Sequence, residues 1–288
     1  MGSSQAEVEV SYGVGNEFFR LWLDEKMNYT CAVWKDEEKF SESLEDAQLN
    51  KLKILSEFAH IGPHTESVLD VGCGWGANLD YQATVNKVPA VHGFTLSEEQ
   101  WKNCVARDLP NTTATCQNYL HYEAPRKFDA VMSICMVEHI VTPDDARAGR
   151  AVDLYRDYFR RVHSWTKPGT YFGLQAITRC GVPLNRQDLD DMRHSTYTSF
   201  PGAVTPRVED LIVASIPYYE VVQMKARRPH YRQTTWHWRE RLRQHEKEIV
   251  QKWGKQVFVD YDRYLSTCIK SFEQNWQSLH QFSLKRLD

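Results

Sequence analysis

Three glycines at alternate positions, Gly72, Gly74 and Gly76, follow directly on the apolar run Val68-Leu-Asp-Val71. Glycine accepts backbone torsions and close approaches that a side chain obstructs. The run therefore reads as a buried strand emptying into a turn that can cradle a nucleotide-like cofactor, with the Asp70 carboxylate near the strand's carboxyl end. The spacing differs from the dinucleotide fingerprint Gly-x-Gly-x-x-Gly, which wants an acid for the ribose about twenty residues later. Here Ala90-Val-His-Gly-Phe94 runs into Thr95-Leu-Ser97 with no acid before Glu98, and the Lys-Ser/Thr of a phosphate-binding loop is missing. Farther along, Glu138 and His139 stand just past another apolar stretch. An unpaired carboxylate is costly there, so Glu138 reads as a cap of the following helix, a tie to the amino-terminal segment or a functional acid, and His139 as a structural residue.

The elements that must position these groups follow from periodicity. Strands are predicted at Ser67–Val71, Ala90–Phe94, Thr112–Cys116, Phe128–Ile134 and Thr170–Ile177, with helical segments between most of them, including Asp145–Val162. Ligands of an open α/β sheet bind outside the carboxyl ends of its strands. Those ends carry Asp70, Thr95, Asn118 with Tyr119, Glu138 with His139, and Gln175. Residues 12 to 60 read as helical, broken around Asn28-Tyr29-Thr30. Residues 179 to 216 lose the pattern and read as an insertion over the sheet edge, followed by helices at Thr235–Trp253 and Tyr261–Phe282. The expected division is a helical cap (1–60), a cofactor-binding α/β core (61–178), a substrate-pocket lid (179–256) and a return to the core (257–288).

Composition bounds the class. A chain of 288 residues, 42% hydrophobic and 25% charged, is that of a soluble globular protein. No apolar run approaches a bilayer's thickness and the first residues lack a signal-peptide layout, so the expected location is cytoplasmic. The seven cysteines form no Cys-x-x-Cys pair, and no ligand cluster points to a metal. A net charge of −3 argues against nucleic acid as a partner, although residues 225–255 hold ten Lys/Arg against three Glu. That stretch reads as a solvated helix face, a contact with an anionic substrate or surface, or, last, a nucleic-acid site.

Several segments together resemble the cyclopropane-fatty-acid-synthase and mycolic-acid-methyltransferase group of S-adenosylmethionine-dependent enzymes. They are Gly15-Asn-Glu-Phe-Phe19, Met27-Asn-Tyr-Thr-Cys-Ala-Val-Trp34, Leu44-Glu-Asp-Ala-Gln48, Val68-Leu-Asp-Val-Gly-Cys-Gly-Trp-Gly76, Gly93-Phe-Thr-Leu-Ser-Glu-Glu-Gln100, Met136-Val-Glu-His139, Phe200-Pro-Gly202 and His230-Tyr231. The resemblance runs from about Tyr12 to Arg286. It implies a Rossmann-like class I methyltransferase fold, with a seven-stranded α/β sheet, amino-terminal helices and an inserted helical lid.

Carried over by position, it implies that Tyr29 and Thr30 close over the sulfonium and amino-acid end of the cofactor, while Gly72, Gly74 and Asp70 line the turn. Thr95 and Gln100 would take the ribose, and Asn118 and Tyr119 the adenine. In the lipid-cyclopropanating members a bicarbonate held by cysteine, glutamate, histidine and tyrosine removes a proton. Three of those positions are Cys31, Glu138 and Tyr231, whereas the histidine is replaced by Gln175. A glutamine can donate a hydrogen bond to an anion but cannot buffer a proton near neutral pH, so bicarbonate use and cyclopropane formation do not carry over with the other three. Tyr231 could also be helix core, and His139 joins Gln175 in the substrate pocket.

The expected function is methyl transfer from S-adenosylmethionine to a small or lipid-like acceptor, first an alkene or other carbon nucleophile in specialised metabolism. The alternatives are N- or O-methylation of a small metabolite, a cyclopropane-forming lipid enzyme, a non-catalytic cofactor-binding protein, or a cyclase that kept the sheet. The oligomeric state is not legible.

Overall fold

The computed structural model describes residues 13–288 together with Ser4 and Glu7, and the backbone but not the side chains of 196–199. The start of the predicted helical region at Tyr12, and most of the cap before it, lie outside the described residues. The architecture is one seven-stranded sheet between helices, with strand order β3-β2-β1-β4-β5-β7-β6. The strands are β1 (Ser67–Val71), β2 (Ala90–Thr95), β3 (Thr112–Cys116), β4 (Phe128–Ile134), β5 (Thr166–Arg179), β6 (Tyr219–Ala226) and β7 (Gln277–Arg286). The first five pair in parallel, and β7 runs antiparallel to both β5 and β6.

Central parallel strands are covered on both faces and hence apolar throughout. Every residue of β1 is buried. The first four predicted strands stand within a residue of expectation, and β5 is longer at both ends.

The helices depart more. Over residues 13–60 the helices are α1 (Asn16–Arg20) and α2 (Leu44–Phe58). Residues 21–43 between them contain no helix or strand but are closely packed, with Cys31, Ala32, Val33 and Trp34 almost fully buried. This cap is tied down by backbone bonds to its neighbours: Ala32 N–H donates to Thr234 Oγ1 at 3.0 Å, Val33 N–H to Ala47 O at 3.0 Å and Trp34 N–H to His230 Nδ1 at 3.2 Å. The predicted helix Asp145–Val162 is split into α5 (Pro143–Arg147) and α6 (Ala151–Ser164), because Gly149 at φ 73° ends the first piece. After β1 come the short α3 (Ala77–Asp80) and, beyond β2, α4 (Glu98–Ala106).

The stretch 179–256 holds α7 (Arg186–Ser199), α8 (Val208–Ser215), the edge strand β6, α9 (Arg228–Gln244) and α10 (Glu246–Trp253). The helix expected over Tyr261–Phe282 is corrected: α11 (Lys255–Glu273) ends early, and β7 takes the rest of the segment into the sheet. β7 carries several polar residues, which a buried strand holds only when each finds a partner. Inside the sheet they are satisfied, with Gln281 Nε2 donating to Gln175 Oε1 at 2.8 Å and Ser283 Oγ to Phe58 O at 2.7 Å.

The basic stretch 225–255 also changes character on folding. Arg227 pairs with Glu37 at 3.0 Å, Arg232 with Glu273 at 2.8 Å, Arg239 and Arg243 with Asp262 at 2.9 and 2.7 Å, and Arg241 with Glu45 at 2.8 Å. Lys252 pairs with Glu17. Acids from outside the stretch therefore neutralise most of its charge. Among the described residues no helix is long and apolar enough to cross a membrane.

One contact sets the height of α2 above the sheet. A Cβ at Gly173, in β5, would lie 2.7 Å from the backbone oxygen of Leu55 in α2 and 3.3 Å from Ala59 Cβ. A backbone carbonyl cannot swing aside. Gly173→Ala is therefore expected to push α2 outward and lower stability by about 1–3 kcal/mol, the usual cost of overpacking, read as a lower urea midpoint at unchanged slope. An unchanged midpoint would show that α2 does not rest on this glycine.

Candidate active site

The carboxyl ends of β1 to β5 open into one cavity, roofed by the 27–30 segment of the cap, by α7 with the segment after it, and by α9 and α11. Each strand end contributes: Asp70 and the glycine turn from β1, Thr95 from β2, Asn118 and Tyr119 after β3, Glu138 and His139 after β4, Ile177 from β5. The parallel strands all point the same way, so residues far apart in sequence meet at one edge.

The three glycines of the turn do different things. All have positive φ, at 83°, 54° and 85°. A Cβ on Gly72 would stand 2.7 Å from Met136 Cγ, and one on Gly76 3.0 Å from Cys104 Sγ, so these two serve packing. A Cβ on Gly74 would meet nothing within 4 Å, and Gly74 lines the cavity. Gly72 lines the cavity too, but of the three only Gly74 leaves the space a Cβ would take unoccupied by protein.

Around the cofactor end the polar side chains are already organised. Thr95 Oγ1 donates to Gln100 Oε1 at 2.7 Å, and Asn118 Oδ1 accepts from Leu120 N–H at 2.9 Å, which fixes the short turn that carries Tyr119. Burial raises the Asp70 carboxyl to about 7, against the pull of Asn78 and Lys51. Tyr29 sits in a nest of rings, 5.3 Å from Trp22 and 5.2 Å from Trp238 between centroids. Among the described lining residues the only Lys or Arg is Lys51. A phosphate-rich dinucleotide would find a single ammonium, whereas the phosphate-free S-adenosylmethionine, with its sulfonium and adenosine, fits a cavity lined by aromatic rings, two carboxyls and the open side of Gly74.

At the acceptor end, Glu138 Oε1 accepts from Ile177 N–H at 2.7 Å, which also holds β5 in place. Its Oε2 is buried with no hydrogen-bond partner. Desolvation raises the Glu138 carboxyl to about 7 and lowers the neighbouring His139 imidazole to about 4, so His139 is neutral at physiological pH. Tyr231 lines the cavity with its ring stacked on Phe272 at 4.6 Å. Its phenol is pushed well above the usual range by burial.

Two predicted positions are not on the cavity surface, and their placement is a correction. Cys31 is fully buried behind the wall, its thiol donating to Ala32 O at 3.1 Å and raised far above the ordinary range by desolvation. Gln175 is likewise fully buried, its amide committed to Cys135 Sγ at 3.6 Å and, as acceptor, to Gln281. Gln175 stands on the same face of β5 as Ile177, but Cys135, to which its amide is bonded, lies between it and the cavity, and Ile177 is the residue of β5 that reaches the lining.

Sequence reasoning also missed Lys51, which lines the cavity from α2 at 1% exposure. The signal was present. Lys51 lies four residues from both Ala47 and Leu55 on the buried stripe of α2, where a lysine has no ordinary reason to be.

Comparison with known proteins identifies the family. The family model for mycolic acid cyclopropane synthetase matches residues 2–282. Cyclopropane mycolic acid synthase MmaA2 of Mycobacterium tuberculosis is 27% identical over 97% of this chain and 96% of its own. The solved structure of MmaA2 has a TM-score of 0.88 at 25% identity, covering 99% of each chain. Cyclopropane-fatty-acyl-phospholipid synthase of Escherichia coli is 31% identical over 92% of this chain and 65% of its own. A mycolic acid cyclopropane synthase, CmaA1, solved with S-adenosylhomocysteine and CTAB, has a TM-score of 0.87 at 23% identity, covering 99% of each chain. The chain belongs to the mycolic acid cyclopropane synthetase family and is an S-adenosylmethionine-dependent enzyme of the methyltransferase fold.

Proposed function

We propose that this enzyme transfers a methyl group from S-adenosylmethionine to a carbon nucleophile, an alkene or its equivalent, of a small or lipid-like acceptor, as in C-methylation in specialised metabolism. The observation that carries this reading is the buried, unpartnered Oε2 of Glu138 on the cavity wall. Fatty-acyl and mycolic acid chemistry in the names of the relatives supports a lipid-like acceptor.

When bound, the cofactor supplies an electrophilic methyl on a sulfonium. The chain's own residues then orient and shield. Thr95 and Gln100 face the ribose, Asn118 and Tyr119 the adenine, and Tyr29 and Thr30 cover the site so that water, a competing acceptor, stays out. Rate comes largely from alignment of methyl and acceptor.

Beyond the transferred methyl the wall is electron-rich. Thr235 Oγ1 donates to Tyr231 O at 2.9 Å, Thr267 Oγ1 to Arg263 O at 2.8 Å, Ser271 Oγ to Thr267 O at 3.0 Å and Ser195 Oγ to Asp191 O at 2.9 Å. Each hydroxyl spends its proton on its own helix and so presents only lone pairs to the cavity. With the faces of Tyr231, Tyr264 and Phe272, such a wall steadies the positive charge that methylation of an alkene leaves on the acceptor. That cation must lose a proton, and Glu138, ionised above about pH 7, takes it directly or through a bound anion or water. Gln175, with no basic atom and its amide already committed, positions Cys135 and supports the wall. The segment 200–205, held by Val204 N–H donating to Glu138 O at 3.0 Å, and α7 form the lid over the acceptor.

Glu138→Gln is expected to lower turnover by at least about a hundredfold, the scale of a lost general base, with cofactor affinity nearly unchanged; retained turnover would assign the reaction to proximity alone. In the wild type the ionised carboxylate is the active form, so turnover should climb as pH rises through about 7 and level off above it, a limb absent from Glu138→Gln. Gly74→Ala fills the open side of the turn and should weaken cofactor binding measured by calorimetry, while its left-handed backbone costs only about 1–2 kcal/mol of stability. Wild-type affinity in that variant would remove the turn from the cofactor site.

A further inference from the structure

We infer that Lys51 is the anchor for the carboxylate of the bound cofactor, an inference that rests on the assignment of the cavity to S-adenosylmethionine. Lys51 Nζ donates to Asn28 Oδ1 at 3.0 Å and to Thr30 Oγ1 at 3.0 Å. An ammonium carries three protons, and these two neutral acceptors take two of them. Among the described residues no carboxylate lies within ion-pair distance of Lys51. Asp24, the acid that most favours its charge, is turned instead to Asn28, accepting from its N–H at 2.7 Å and its Nδ2 at 2.9 Å.

A cation at 1% exposure without an anionic partner is among the costliest things a fold can contain. The group remains protonated at neutral pH all the same, burial having lowered it only to about 8. The charge is therefore held in place by dipoles and offered to the cavity, which Lys51, Asn28 and Thr30 all line. S-adenosylmethionine has one carboxylate and no phosphate. Its adenosine belongs with Asn118 and Tyr119 and its methyl with Glu138, which leaves the amino-acid end for the corner where Lys51 meets Asp70. A carboxylate there completes the third hydrogen bond of Lys51 and fixes Thr30 through the same ammonium, so the cap and the cofactor share one charge.

The test is calorimetric binding of S-adenosylmethionine and of its decarboxylated form, which keeps the sulfonium and amine but lacks the carboxylate. Both are titrated into the wild type, Lys51→Met and Lys51→Gln; the glutamine keeps a donor for Asn28 or Thr30 without the charge, so one variant remains informative where the other folds poorly. The wild type should prefer the carboxylate-bearing ligand by at least about tenfold, the scale of a hydrogen bond to a charged group. In the variants that preference should vanish, with affinity for the decarboxylated form close to wild type. Variants that keep the wild-type preference, or that lose both ligands in equal proportion, overturn the role of Lys51 and leave the cofactor assignment standing. A wild type that binds neither ligand overturns both.

Discussion

Lys51, Asp70 and Glu138 are all removed from water around one cavity, and charge in such a place costs several kcal/mol unless partners or a ligand compensate it. Much of the architecture can be understood from that constraint. The two carboxyls are raised toward neutrality and the lysine lowered, so each group sits close to its point of ionisation when the cavity is without a ligand. A cationic sulfonium, an amino-acid zwitterion and an acceptor that becomes positive are the kinds of charge these groups can offset. Asp70 Oδ1 and Glu138 Oε2, both on residues of the cavity wall, are left without a hydrogen-bond partner in the protein alone.

Close backbone contacts hold these groups in register. Gly173 lets α2 rest on β5 and so fixes the depth of Lys51; Gly72 lets the turn after β1 pack on Met136, two residues before Glu138. Gly93 admits Leu79 and Cys73, whose contacts would stand at 2.8 and 2.9 Å from a Cβ there. Cap and helix α2 are joined by Gln48 Nε2 donating to Thr30 O at 2.8 Å and Asn50 Nδ2 to Val33 O at 2.8 Å. Residues 21–43 therefore gain their shape from side chains of α2 and α9, since they contain no helix or strand.

The centre of the sheet was legible in the sequence because β1 and β4 are mostly apolar and buried, and because β1, β2 and β4 lead into polar residues, a pattern that Asp70, Thr95 and Glu138 mark plainly. β7 was not, because Gln281 and Ser283 find their partners only after β5 and α2 are in place. Site residues on turns were readable by position, since a turn at a strand end faces the cavity whatever its details. Cys31 and Gln175 were harder: each adjoins the cavity lining, but whether a side chain reaches the surface is decided by the neighbours packed in front of it, as Cys135 is packed against Gln175. Lys51 escaped notice because lysine on a helix ordinarily signals solvent, and only its place on the buried stripe says otherwise. The pairing of residues 225–255 was not legible either, as the counter-ions Glu37 and Glu45 lie far off in the chain and Asp262 on the next helix.

The dependence of the cap on the occupied cavity can be measured directly by hydrogen exchange of the amides in residues 24–34, followed by mass spectrometry with and without saturating S-adenosylhomocysteine. If the cap closes over the cofactor and shares its charge through Lys51, exchange across Asn28–Thr30 should slow markedly on binding, while β6 on the far edge of the sheet stays unchanged. Bound ligand with no added protection in that segment would contradict a site completed by the cap.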